Sequence, residues 1–440
     1  MKFLLPRGMR DLEPDEYKDI NVIRNAFIDS ARIFNFMLME PSPLELLSTL
    51  ETKSGPSITK EIYNFVDKGN RDIALRFDLT IGLTRYFVSR RDLKIPTKMA
   101  SFGGVWRYDE PQAGRYRFFH QWDIEIYGPT SIESDTEIIE FTSIFLQKLG
   151  LRNILIDISS RNLIEEYIKN ILKISNDEET FEIFRAIDKI PKKGKASVLK
   201  EYDERIDIKV LEKVINFAEK KGSFKELDGA MNLLKLKSWE DLGKINTSLS
   251  NKGINNIRIN LGIVRGLDYY SGIVFEAIDT GNDLGSLVGG GRYNKLTDAF
   301  GRKDVGAIGA AGGIERIVLA MKQQGIFKKD ENDEFKDLNY IIYDSIEIYD
   351  YVERLASYLR RNNFPVDYDL LRRSFSKQIA EAENKKSKKI IIVSKEDLET
   401  KGEVILRDLF QKIDKKIDIT KGFDELVPGL VEIRLDKSKV

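Results

Sequence analysis

The chain contains no cysteine and a single histidine, His120, in 440 residues. Without thiols it builds no disulfide, no thiolate nucleophile and no zinc–thiolate cluster. With one imidazole it forms no multi-histidine metal centre and, away from residue 120, no Ser-His-Asp triad. Most metallohydrolases and serine hydrolases are thereby excluded. No apolar run approaches the ~20 residues that span a bilayer. The opening stretch MKFLLPRGMRDLEP has too short an apolar segment for a signal peptide and no small-residue cleavage site. A cytoplasmic protein with no membrane partner is the expectation. Neither sign of charge is in excess, with 71 Lys and Arg against 71 Asp and Glu. Any polyanion must therefore be met by a local patch.

What is present fits an ordinary globular protein. Apolar residues make up 42% and aromatics 10%, and the length suits two or three domains. Chemistry must run on Arg, Lys, Asp, Glu and Tyr, with at most a loosely held Mg²⁺. Residues 16–35 place Ile20, Ile23, Phe27, Ala31 and Phe34 at helical spacing. Phe36–Glu40 reads as a short strand ended by Pro41, and Ile73–Arg76 as another. Lys98–Tyr108 and Phe118–Tyr127 read as two strands joined by a short polar loop, hence antiparallel. Ile154–Ser159, Ile257–Asn260 and Gly272–Ile278 are further strands. Between 161 and 250 the pattern is helical, amphipathic and rich in Lys and Glu. The simplest arrangement is an α+β core of 1–160 and 251–323 carrying a helical insertion, 161–250. A charged linker, 324–338, leads to a small α/β domain, 339–440, in which strands and helices alternate over a largely parallel sheet.

Five segments carry polar residues that call for a chemical explanation. In WRYDEPQAGRYRFFHQWDIE (106–125), Arg107, Arg115 and Arg117 lie at or in the loop. Phe119, Gln121, Asp123 and Glu125 share one strand face. Arginines above an aromatic ring and a row of carboxylates suit a nucleotide plus a small zwitterion; a solvated hairpin with cross-strand ion pairs fits the composition as well. In VRGLDYYSGIVFEA (264–277), Arg265 and Asp268 flank Gly266. If the segment is extended, Tyr269 and Tyr270 point to opposite faces. In GSLVGGGRYNKL (285–296), three glycines permit close backbone approach to a ligand or form a bulged hairpin; the GK[ST] of a phosphate-binding P-loop is missing. GAIGAAGGIERIVLAM (306–321) reads as small residues packing tightly before a helix that carries Arg316. In LRFDLT (75–80), Asp78 and Thr80 share strand parity, and their oxygens are able to hold an ammonium group.

Taken in this order, the segments resemble the histidyl-tRNA synthetases among the class II aminoacyl-tRNA synthetases, over nearly the whole chain. Residues 16–41 look like motif 1, the dimer-forming element. WRYDEP…GRYRFFHQWDIE looks like motif 2 and GAIGAAGGIERIV like motif 3. VRGLDYYSGIVFEA and LVGGGRY are similar to the two histidyl signatures, and the C-terminal unit resembles the anticodon-binding domain. The resemblance implies a class II antiparallel sheet flanked by helices and a homodimer. It also implies activation of histidine by ATP with Mg²⁺ and without zinc, followed by transfer to tRNA(His). It places Arg265 on the histidine carboxylate and α-phosphate, and Tyr269 and Tyr270 along the amino-acid pocket. Glu125 and Tyr270 meet the imidazole nitrogens. Asp78, Thr80 and Gln121 hold the α-ammonium, with Leu79 in the same histidine-binding segment. Arg107 meets the α-phosphate, Phe119 stacks on adenine, Arg115 joins the ATP contacts, Arg316 reaches the γ-phosphate and Tyr293 closes the pocket. The chain departs from many family members at Phe77 and Leu79, where Pro and Gly are common, and at Gly312, where a larger residue is common. A catalytically inactive paralogue, the regulatory subunit of ATP phosphoribosyltransferase, is the rival from another class. It usually lacks the C-terminal domain and the pocket arginines. Finally, the lysines and arginines of 372–389 are expected to form a salt-sensitive tRNA patch.

Overall fold

The computed structural model describes residues 4–108, 116–128, 130–263, 270–327, 336–409 and 411–431. The chain divides into two compact units, 1–327 and 328–440.

The first unit is built on a nine-stranded sheet among the described residues. In chain order its strands are β1 (Met37–Leu38), β2 (Thr97–Trp106), β3 (Phe118–Gly128), β4 (Ile154–Ser160), β5 (Lys221–Gly222), β6 (Ile257–Asn260), β7 (Ile273–Asp279), β8 (Ser286–Arg292) and β9 (Gly306–Gly313). Across the sheet they run β1-β2-β3-β9-β8-β7-β4-β6-β5. Only the β1–β2 and β4–β6 pairs are parallel. The predominantly antiparallel α+β architecture is the one expected. The β2–β3 hairpin holds Phe102 opposite Trp122 and Met99 opposite Glu125.

Alternation along β3 divides the unit into a greasy side and a chemical side. Trp122, Ile124 and Ile126 face the core. There they meet helix Pro14–Ile33 through Phe27, and helix Ile132–Lys148 through Phe141 and Phe145. The Phe145 ring stands edge-on to Trp122, 5.2 Å between centroids, a favoured aromatic geometry. This packing corrects one expectation. The resemblance of 16–41 to the dimer-forming motif 1 would turn the apolar face of its helix to a symmetry mate, but Ile20, Ile23, Phe27 and Ala31 are buried in the chain's own core. Exposed apolar residues include Val22 and Ile33 of this helix and, on short strands, Met37 and Leu38 on β1, Leu44 and Leu46, and Phe65 and Val66.

The helices between 161 and 251 bury their apolar faces against the same core. In Ile208–Ala218, Leu211, Val214, Ile215 and Ala218 recur at helical spacing and are all buried. The segment also gives β5 to the end of the sheet. A capping box of Ser223 and Glu226 starts the next helix, Phe224–Asn232.

In the second unit the strand order is Val366–Tyr368, Lys336–Tyr343, Ser387–Val393, Glu403–Asp408, Ile413–Asp418. The first three are parallel, as expected. The last two form an antiparallel hairpin that the largely parallel reading missed. In Ile413–Asp418 only Ile417 is buried, so this edge strand carries almost no apolar signal.

Candidate functional site

A cavity of about 340 Å³ opens on the chemical side of the sheet, within the ~300–1,000 Å³ typical of small-molecule sites. Its floor is β3, where Phe119, Gln121 and Glu125 line the opening. Phe119 and Glu125 lie six positions apart along the strand, roughly 20 Å of extended chain. Room above that floor comes from the glycines. Gly309 pairs with Glu125, Ala311 with Asp123 and Gly313 with Gln121, while Gly291 of β8 pairs with Gly309. A Cβ on Gly309 would lie 1.6 Å from Glu125 Oε2, and one on Gly291 would lie 2.9 Å from the Tyr270 ring. The glycines of the opposite face serve packing. Gly312 admits Trp122 and Gly290 admits Phe275. The GGG run is thus the second strand of an antiparallel hairpin whose first strand is bulged at Ala277/Ile278. The small residues of 306–313 are themselves a strand rather than a prelude to the helix.

Two guanidiniums line the cavity. Arg107 donates from Nε to the Phe77 carbonyl at 3.0 Å and reaches Gln121 Oε1 at 3.4 Å. Its guanidinium lies 5.1 Å from the centre of the Phe119 ring. Arg316, in the first turn of helix Ile314–Gln323, donates to the Ser286 carbonyl at 2.6 Å. Carboxylates line the cavity as well: Asp78 and Glu125 are buried there, while Asp123 is buried without lining it. Tyr293 Oη–H donates to Glu125 Oε2. Burial, then the Glu125 charge, keeps the Tyr293 phenol protonated well above its ordinary range. Tyr127 is held likewise and bonds the Thr84 hydroxyl at 3.1 Å.

Most of the residues picked from sequence converge here. Asp78, Thr80, Arg107, Phe119, Gln121, Glu125, Tyr270, Tyr293 and Arg316 all line the cavity. The local shape of 75–80 differs from the expectation, because Asp78 and Thr80 share no strand. Thr80 opens helix Thr80–Ser89, and Asp78 accepts the Ile81 backbone N–H at 3.2 Å. The carboxylate and hydroxyl are brought together by a helix start. Leu79 is fully buried and does not line the cavity. Arg115, Arg265 and Tyr269 lie outside the described residues. Sequence reasoning missed Tyr116 and Glu315, which also line the opening. Glu315 accepts the His120 backbone N–H at 3.0 Å and contacts the His120 ring at 3.1 Å, so it clamps β3 between Phe119 and Gln121. Its place beside Arg316 at a helix start was the available signal.

Arg292, next to Tyr293, points away from the cavity. It donates to Asp135 Oδ1 at 3.0 and 2.5 Å and to Ser134 Oγ at 3.0 Å. Burial pushes the Asp135 carboxyl up to about 6 in spite of that guanidinium.

In the second unit the expected basic patch is partly internal. Lys389 is buried and bonds the Gly429 carbonyl. Lys385 pairs with Asp367 at 2.5 Å. Arg372, Lys377 and Lys386 remain exposed, and Lys388 is half-buried.

Comparison with known proteins adds the following. Residues 8–317 match the family model described as histidyl-tRNA synthetase, and 339–432 match the anticodon-binding domain. The histidine--tRNA ligase of Pyrobaculum islandicum is 31% identical over 96% of each chain. That of Pyrococcus furiosus is 32% identical over 94% of this chain and 98% of its own. Among solved structures, histidyl-tRNA synthetase from Nostoc superposes with a TM-score of 0.80 at 21% identity, covering 98% of this chain and 99% of that one. A Bacillus halodurans structure titled ATP phosphoribosyltransferase regulatory subunit/histidyl-tRNA synthetase reaches 0.75 at 20% identity, covering 90% of this chain and 99% of that one. At such identities the structural matches speak for the fold alone.

Proposed function

Because the chain belongs to the histidyl-tRNA synthetase family, we propose that the cavity over β3 is where it activates histidine. The chain ligates histidine to tRNA in two steps. Histidine and ATP give histidyl-adenylate and pyrophosphate, and histidine then passes to the 3′ end of the tRNA. The observation that carries the site assignment is that one cavity is lined both by guanidiniums, Arg107 and Arg316, and by the buried carboxylates Asp78 and Glu125.

The chemistry suits those groups. A histidine carboxylate oxygen attacks the α-phosphorus, the bond to the bridging oxygen breaks, and pyrophosphate leaves. The carboxylate is ionised at neutral pH and needs no base. What the step needs is preorganised positive charge where two anions meet, and guanidiniums provide it without titrating. Arg107 serves the α-phosphate, Phe119 stacks on adenine and Arg316 takes the γ-phosphate. Asp78, Thr80 and Gln121 hold the α-ammonium, while Glu125 and Tyr270 read the imidazole with Tyr293 closing over them. Arg265, Arg115 and Tyr269 are assigned by family resemblance. Mg²⁺ enters with ATP as part of the substrate, and no zinc is required. The tRNA is tRNA(His), the chain works in the cytoplasm as a homodimer, and 161–250 acts as an insertion in the catalytic core.

The test is pyrophosphate exchange into ATP with each of the twenty amino acids. Exchange with histidine alone supports the site. Binding of histidine without any exchange would favour the regulatory paralogue instead.

A further inference from the structure

Asp123 lies on the face of β3 that carries Gln121 and Glu125, yet it does not line the cavity and is fully buried. Its Oδ2 accepts from Thr80 Oγ1 at 3.0 Å and, more weakly, from Gln121 Nε2 at 3.4 Å. Its Oδ1 meets no donor among the described residues. Around it, Glu125 and Asp78 are carboxyls, while Tyr127 and Tyr293 are protonated phenols. Helix 80–89 contributes Thr80 and Thr84. β2 places Ser101 opposite, and β9 places Ala311 opposite. Arg107 reaches the Phe77 carbonyl and Gln121. Among the described residues no ammonium or guanidinium touches Asp123.

We propose that Asp123 is a neutral carboxylic acid and a positioning residue: its Oδ1–H donates to Glu125, and its Oδ2 accepts from Thr80 and Gln121. This inference rests on the reading of Thr80, Gln121 and Glu125 given above and deepens it. A threonine hydroxyl has one proton. Once that proton is committed to Asp123, only lone pairs face the cavity. Gln121, with its NH₂ turned to Asp123, likewise presents its carbonyl. The α-ammonium of histidine is all donor, so two acceptors preset in this way match it. The third bond aims the Glu125 carboxylate. Two carboxyls this close and this buried do not both ionise. The protonated member is Asp123, which is fully out of water, does not reach the cavity and keeps one oxygen, Oδ1, without a donor among the described residues. Burial, followed by the Glu125 charge, pushes the Asp123 carboxyl well above the usual carboxylate range.

Two variants test this in the exchange assay at pH 6 and pH 8. Asp123→Asn keeps an acceptor for Thr80 and Gln121 and a donor for Glu125. Its histidine KM and kcat should stay within about 3-fold of wild type at both pH values, since every hydrogen bond survives. Asp123→Leu fills the space and removes all three of these bonds. Histidine KM should rise by about 10–100-fold, the cost of unpaired buried polar groups, with ATP KM little changed. If Asp123→Leu does not fold, Asp123→Ser, too short to reach all three partners, carries the same expectation. A loss in Asp123→Asn as large as in Asp123→Leu would mean an ionised carboxylate is the working form and would overturn the proposal. So would an unchanged histidine KM in Asp123→Leu. Thr80→Val and Glu125→Gln serve as controls. If they raise histidine KM and Asp123→Leu does not, this inference fails alone. If none of the three moves it, the site reading fails first.

Discussion

At the scale of single residues, the proposed selectivity turns on Glu125 and on the empty space beside it. Neutral histidine offers one ring donor and one acceptor, and a buried carboxylate with a phenol matches both. Glu125→Gln keeps the size but loses the charge. It should lower kcat/KM for histidine by about 1.5–3 kcal/mol, the worth of a hydrogen bond to a charged group. The loss should be larger at pH 6 than at pH 8, because the ligand becomes imidazolium as pH falls and the native carboxylate favours that cation. Equal, normal exchange at both pH values would remove Glu125 from the reading of the ring. Gly309→Ala probes the space. Its Cβ would lie 1.6 Å from Glu125 Oε2 and 2.6 Å from the Ile124 carbonyl, so the strand must shift. An overpacking cost of about 1–3 kcal/mol in stability is expected, with histidine KM rising more than ATP KM; denaturation and exchange kinetics read the two effects separately.

At the scale of elements, what was legible follows from periodicity. β2, β3, β4, β6 and β7 alternate or carry branched apolar residues, and helix 14–33 shows clear helical spacing; all were read from sequence. β9 was not, because GAIGAAGG has almost no side chains from which to infer a period. Nor was the strand Ile413–Asp418, which buries only Ile417. The site residues of β3 were legible because a period of two puts them on one face. The placement of Asp78 and Thr80 was half legible: their chemistry was apparent, but a helix start was read as a strand. The join between β8 and helix Ile132–Lys148 rests on Arg292 and Asp135. Asp135→Ala leaves the guanidinium buried without its partner and should cost about 3–5 kcal/mol. A urea midpoint unchanged from wild type would show that the tie contributes nothing. The pH dependence has a definite sign. The folded Asp135 carboxyl is raised to about 6 from an ordinary value of 3.8. The folded state therefore binds the proton more tightly, and this group's contribution to stability falls as pH rises from 3.8 to 6, then levels off.

At the scale of the whole molecule, the predictions concern surfaces. The exposed apolar residues of the short strands, Met37, Leu38, Leu44, Leu46, Phe65 and Val66, suit an isologous interface. Leu44→Asp combined with Leu46→Asp should shift light scattering from dimer toward monomer, and wild-type protein found monomeric at micromolar concentration would sink the homodimer. Replacing Arg372, Lys377, Lys386 and Lys388 with glutamine should weaken tRNA charging and flatten its salt dependence while leaving exchange intact; equal loss of both activities would make the patch structural. One feature of the sheet also bears on how this enzyme is able to change over generations. Gly289, Gly309 and Gly313 wall the cavity with main chain alone. A mutation at any of the three glycines can only add atoms. Inherited variation at those glycines can narrow the cavity but never widen it, so any lineage drifting toward a bulkier amino acid must give up atoms elsewhere around the cavity, as at Glu125, Tyr270 or Tyr293.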